Sequence, residues 1–172
     1  MKSLQKNFLY NILYQILLVI LPLITAPYIS RTLGATAVGV YSYTYSVAYY
    51  FLLIAMLGIG NHGNRSIAAV RDDRKKLNKT FSSIYSLQVI TFSIAILAYA
   101  IYLVLFVKDN RLIVLLQLIY VTSGLFDIGW LFFGLEQFKL TVARNTLIKI
   151  STVVLMFVFV HKPSDLWKYT LI

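Results

Sequence analysis

The sequence predicts an all-α fold: a polytopic membrane bundle of helices forming one domain over residues 1–172. Three observations predict it. Hydrophobic residues make up 59% of the chain and charged residues 13%, against about 45–50% and about 25% in soluble domains. Asn7–Ser30, Thr32–Asn64 and Thr80–Val107, of 24, 33 and 28 residues, contain no Asp, Glu, Lys or Arg. A bilayer core of about 30 Å takes about 20 apolar residues as a helix, so each run is long enough to cross. Finally, the basic residues stand between the apolar runs instead of clustering on one soluble face.

The spans follow in order. The first covers about Asn7–Ile29. Its apolar run is longer than the roughly 7–15 residues of a signal-peptide core and ends in no small-x-small site, so it is a retained helix. The second covers about Val38–Asn61, the third Thr80–Val107 and the fourth Leu112–Gly134, which carries Asp127. The fifth, about Asn145–His161, has an uncharged core of only Ile150–His161 and needs Lys149 to snorkel to the interface. A sixth begins about Trp167, where Trp167, Lys168 and Tyr169 make an interfacial start. A helix of one or two turns cannot satisfy its backbone across a bilayer, so the expectation is a piece of a longer protein.

Charge sets orientation. With the N-terminus cytoplasmic, eleven basic residues lie inside (Lys2, Lys6, Arg65, Arg71, Arg74, Lys75, Lys76, Lys79, Lys139, Arg144, Lys149) and five outside (Arg31, Lys108, Arg111, Lys162, Lys168). That bias is the positive-inside pattern. The net charge of +10 is then mostly topology, and a nucleic-acid surface is excluded. There is no cysteine, and the two histidines are His62 and His161, so disulfides, thiol catalysis and histidine-paired metal sites are excluded. With no cofactor motif, no clustered carboxylates and only short loops, the sequence does not read as an enzyme.

Some residues call for more than topology. Asp127 lies within a span, where a carboxylate costs about 2.5–3.5 kcal/mol on insertion scales. On a continuous helix Ser123, Gly124, Trp130 and Gly134 share its face. Asp127 and Trp130 then line a cavity or ion site, or Asp127 anchors a neighbouring helix. On the first span Asn11, Gln15, Pro22 and Thr25 form a polar stripe, with Pro22 bending the helix. Five tyrosines fall within residues 41–50. They form an aromatic belt, or Tyr41, Tyr45 and Tyr49, at i, i+4 and i+8, line an amphipathic cavity suited to sugar rings. Glycines 58, 60 and 63 permit close approach at the inner end of the second span, and Arg71–Lys79 reads as a loop near anionic headgroups.

Asn7-Phe-Leu-Tyr-Asn-Ile-Leu-Tyr-Gln15, Pro22-Leu-Ile-Thr-Ala-Pro-Tyr-Ile-Ser-Arg-Thr-Leu-Gly34 and Gly39-Val-Tyr-Ser-Tyr-Thr-Tyr-Ser46 resemble the opening of Wzx-type polysaccharide flippases. So do Gly63-Asn-Arg-Ser-Ile-Ala-Ala-Val-Arg71 and Phe126-Asp-Ile-Gly-Trp-Leu-Phe-Phe-Gly-Leu-Glu-Gln-Phe-Lys139, the most specific stretch. His62 departs from the aromatic residue expected there. The resemblance covers essentially the whole chain and implies a multidrug/oligosaccharidyl-lipid/polysaccharide exporter in the bacterial cytoplasmic membrane. This chain would supply most of the N-terminal lobe of a MATE-like, two-lobed transporter, with the C-terminal lobe as a missing partner. The implied activity is flipping of an undecaprenyl-diphosphate-linked oligosaccharide by alternating access, coupled to an ion gradient through Asp127. Arg31 and Arg65 are the implied diphosphate contacts, since arginine suits phosphate. The alternatives are a MATE-like drug/cation antiporter and a short, non-transporting membrane subunit.

Overall fold

A computed structural model describes the backbone of residues 2–172 and the side chains of residues 19–172 other than Phe138. The fold is all-α, with no strand among the described residues. Helix α1 (Lys2–Met56) is followed by α2 (Ile59–Val70), α3 (Arg74–Leu105), α4 (Arg111–Ser123), α5 (Gly129–Gly134), α6 (Phe138–Phe159) and α7 (Leu166–Leu171). Among the described residues, four helical stretches have the length and apolarity to cross a bilayer: Val19–Val70, Arg74–Leu105, Arg111–Gly134 and Lys139–Phe159.

The first stretch is 52 residues long, about 78 Å if straight, more than twice a bilayer core. It divides at Gly34, whose φ of 79° and ψ of 165° are the only non-helical values inside α1. Glycine takes that φ without a Cβ penalty. Where the sequence suggests a loop over residues 30–37, the structure has this one-residue joint. The arm before it packs through Tyr28 on Phe157 (ring centroids 4.4 Å) and donates the Tyr28 hydroxyl to the Val160 carbonyl at 2.6 Å. The arm after it packs through Tyr41 on Tyr169 of α7 (4.6 Å).

Helix α3 starts at a strong cap. The Asp73 carboxylate accepts from the Lys75 and Lys76 amides at 3.0 and 3.1 Å, satisfying two orphan donors of the first turn. The helix then runs unbroken through the bundle. Phe92 and Tyr99 are fully buried on it, and Tyr99 donates its hydroxyl to the Val114 carbonyl of α4 at 2.9 Å. Ala48, Tyr99, Val107, Val114 and Val121 make one core cluster; Ala55, Phe92 and Ala95 make another beneath it.

The two spans flanking α3 are both interrupted. The second breaks at Leu57 and Gly58, with φ of 41° and 75°, and resumes as α2. The fourth leaves α-helical geometry at a 3-10 turn over Gly124–Phe126 and resumes at α5. Leu125 packs on the Ala55–Phe92 cluster, so the two breaks lie at about the same level beside α3. Beyond them α2 and α5 cross closely. A Cβ on Gly63 would lie 2.6 Å from the Trp130 ring, and one on Gly134 would lie 2.7 Å from Ile67 and 2.9 Å from the Asn64 carbonyl. The absent side chains are what permit that crossing.

Candidate substrate-lining site

Tyr41, Tyr45 and Tyr49 form the ridge that their spacing suggests. Their rings stack in sequence, 5.8 Å apart at 13° and 6.2 Å apart at 19°. The ladder is tied to the rest of the bundle at two rungs. Tyr45 shares a hydroxyl–hydroxyl hydrogen bond of 3.2 Å with Tyr120 of α4, with ring centroids 5.1 Å apart, and Tyr41 leans on Tyr169. Tyr49 is the open end, 43% exposed. Five aromatic rings and their hydroxyls therefore gather where α1, α4 and α7 meet. Such a surface offers flat faces for C–H groups and hydroxyls for polar edges.

Trp130 and Asp127 part company. Because the backbone is extended at Asp127 (φ −78°, ψ 96°), the expected stripe of Ser123, Gly124, Asp127, Trp130 and Gly134 does not form. Trp130 is buried and donates its indole N–H to Gln88 Oε1 at 2.9 Å. Gln88, fully buried on α3, donates its Nε2 to the carbonyls of Gly124 (2.9 Å), Leu125 (3.4 Å) and Asp127 (3.0 Å). Irregular backbone at membrane depth survives only where protein satisfies it, and Gln88 does so here. Asp127 thus enters the interior network through its carbonyl. Its carboxylate is exposed and accepts from the amide of Gly129, the first residue of α5, at 3.0 Å.

Arg31 and Arg65 are both exposed, one near the Gly34 joint and one on α2, and neither has a hydrogen bond or ion pair with a described residue. Asn11 and Gln15 lie outside the described side chains. Arg71, at the end of α2, pairs with Glu136, just past α5. This hydrogen-bonded pair raises the Arg71 pKa above its ordinary value and joins α2 and the end of α5 at a second point.

The remainder of the polar stripe on the first span is where the sequence pointed. Pro22 and Thr25 face Lys149, Thr152 and Val153 of α6 across a groove that Leu21 also lines. Lys149 is exposed. Helix α6 starts at Phe138, seven residues before the expected span, so 20 residues counted back from Phe159 reach Leu140 and leave Lys149 near the middle.

Among curated proteins, the chain is similar to one from Escherichia coli (strain K12) named "Putative O-antigen transporter". The two are 25% identical over 166 residues, covering 95% of this chain and 40% of the relative. A protein of the same name from Shigella dysenteriae is 26% identical over 165 residues, covering 95% and 41%. The chain therefore spans about two fifths of the length of these relatives. No solved structure matches it. The model of the family described as polysaccharide biosynthesis protein matches residues 4–172, nearly every residue of the spans, ladder and groove described above, and the chain belongs to that family.

Proposed function

We propose that this chain forms the N-terminal lobe of an exporter that carries a lipid-linked oligosaccharide from the cytoplasmic to the outer leaflet of the bacterial plasma membrane. On this reading the protein works by alternating access, with its N-terminus cytoplasmic and with no catalytic chemistry. The tyrosine ladder carries the reading. A sugar presents apolar C–H faces and polar edges, and Tyr41, Tyr45 and Tyr49 offer stacked faces and hydroxyls at the depth of a membrane span. The names of the two relatives and the family match support it from a second direction. The breaks in the second and fourth spans fit a transporter, in which interrupted helices border the transport route.

Deletion of the full-length gene tests the reading. Lipid-linked repeat units are expected to accumulate on the cytoplasmic leaflet, with loss of surface polysaccharide. A deletion strain with normal surface polysaccharide but raised sensitivity to cationic drugs would instead establish the antiporter alternative.

A further inference from the structure

We propose that Lys149, together with the Thr25 and Thr152 hydroxyls, forms an anion site at mid-depth in the membrane that takes the phosphate group of a lipid-linked substrate. The proposal rests on the export reading and assigns its charged end to a place that neither Arg31 nor Arg65 occupies.

Depth comes first. Leu33 and Val160 share one core cluster at the outer end of the first and fifth spans. Pro22 and Lys149 each lie eleven residues earlier, about 16 Å deeper at a helical rise. The groove they border is therefore near the centre of the bilayer. An ionisable side chain at that depth marks a functional site when its partner is not supplied by the fold. Among the described residues no carboxylate pairs with Lys149: the ion pairs are Arg71–Glu136, Lys76–Asp73 and Lys168–Asp165.

The groove's chemistry selects the ligand. The ammonium brings three N–H donors. The hydroxyls of Thr25 and Thr152 bring two more, and neither is hydrogen-bonded to a described residue. No acidic side chain lines the groove, so a cation is disfavoured and an anion with several acceptor oxygens fits. The groove holds about 170 Å³, several times a water molecule's share of about 30 Å³. Among the described residues Leu21 and Val153 add apolar wall, and Leu23, Ile24, Ile148 and Val154 are exposed on the same two helices. A ligand reaching this point is thus charged at one end and hydrocarbon at the other. A phosphate ester or diphosphate on a polyisoprenyl tail has that shape, and a free inorganic anion does not.

Binding of farnesyl diphosphate to the full-length protein in phosphatidylcholine nanodiscs tests the site, with farnesol, inorganic diphosphate and phosphatidylglycerol as comparison ligands. Lys149→Met is expected to weaken farnesyl diphosphate by about tenfold or more, the factor of a single charge-assisted hydrogen bond. Lys149→Arg is expected to retain binding, and farnesol to be indifferent to either change. Should Lys149→Met fail to fold by circular dichroism, the Thr25→Val, Thr152→Val pair gives the same reading with a smaller loss. Farnesyl diphosphate binding unchanged in the folded variants overturns the site, as does equal competition by phosphatidylglycerol, which would make it a bilayer-headgroup site. Either result leaves the export reading intact, because that reading depends on repeat-unit accumulation in the deletion strain.

Discussion

Trp130 donates its indole N–H to the Gln88 side-chain oxygen at 2.9 Å, while the nitrogen of the same amide holds the carbonyls of Gly124 and Asp127 at 2.9 and 3.0 Å. One side chain on the unbroken helix therefore serves both ends of the interruption in its neighbour. Gln88→Leu takes the partner from the indole N–H and the Nε2 donor from the carbonyls of the break, of which Gly124 still accepts from the Asp127 amide at 3.2 Å. Each unsatisfied buried group costs about 1–3 kcal/mol, softened in a bilayer because freed groups find other partners. A loss of about 2–3 kcal/mol is expected, read as a lower Tm in detergent with a red-shifted tryptophan emission. An unchanged Tm would show that the break is satisfied some other way.

The glycine contacts give a graded series. Gly63→Ala meets the Trp130 ring, and Gly134→Ala meets Ile67 together with the Asn64 backbone, whereas Gly39 has nothing within 4 Å of an added Cβ. Overpacking costs about 1–3 kcal/mol. Gly134→Ala is expected to be the most harmful of the three, because a backbone carbonyl cannot rotate away. Gly39→Ala is expected to be neutral or slightly stabilising. Thermal unfolding of the three variants checks the order.

Tyr45 separates ring from hydroxyl. Tyr45→Phe removes only the 3.2 Å bond to Tyr120 and keeps both stacking neighbours, so surface polysaccharide is expected to fall modestly. Tyr45→Ala removes the middle rung and is expected to abolish it at equal protein abundance. Equal export by both variants would take the ladder out of substrate recognition.

Asp127→Asn keeps an oxygen at the position that accepts from the Gly129 amide. Its Tm is therefore expected to match wild type. Coupling of export to an ion through this carboxylate predicts reduced surface polysaccharide from that folded variant, and wild-type levels would remove Asp127 from coupling.

Asp165 sets a pH dependence outside the spans. Its carboxylate accepts from Lys168 at 2.7 Å and from the His161 and Lys162 amides at 3.1 and 3.3 Å. The Lys168 hydrogen bond, then the His161 amide, lower its pKa from 3.8 to about 2. A depressed carboxylate pKa stabilises the folded turn above the unfolded value and loses that contribution as pH falls through the folded one. Protection of the His161 and Lys162 amides from hydrogen exchange is thus expected to be constant above pH 5 and to drop between about pH 4 and pH 2. In Asp165→Asn the low-pH drop should vanish.

The sequence was most readable where periodicity alone decides structure. Uncharged runs and the charge bias between them outline the all-α membrane bundle, and the four-residue spacing of Tyr41, Tyr45 and Tyr49 yields the stacked ridge. Gln88 gives no such signal, because an amide carries no charge and sits inside the third uncharged run. The signal for it lay elsewhere, in Gly124 and the Asp127-Ile-Gly129 turn, which mark a helix break needing a donor. Apolarity alone places the start of the fifth helix at about Asn145. Helix α6 begins earlier, at Phe138, because the polar residues Lys139, Thr141 and Arg144 are helical too, so Lys149 stands near the middle of a longer helix.

The joint at Gly34 bears on how sidedness can be mapped. Helical geometry resumes on both sides of a single residue, so nothing between the first two spans projects as a flexible segment for a protease, an epitope tag or a reporter enzyme. An insertion there would wedge apart the cluster of Ile29, Leu33, Met156 and Val160, and a silent reporter would report a damaged fold, not a hidden face. Labels belong instead at Lys108–Asn110 and His161–Lys162, where the chain leaves helical geometry and the side chains are exposed.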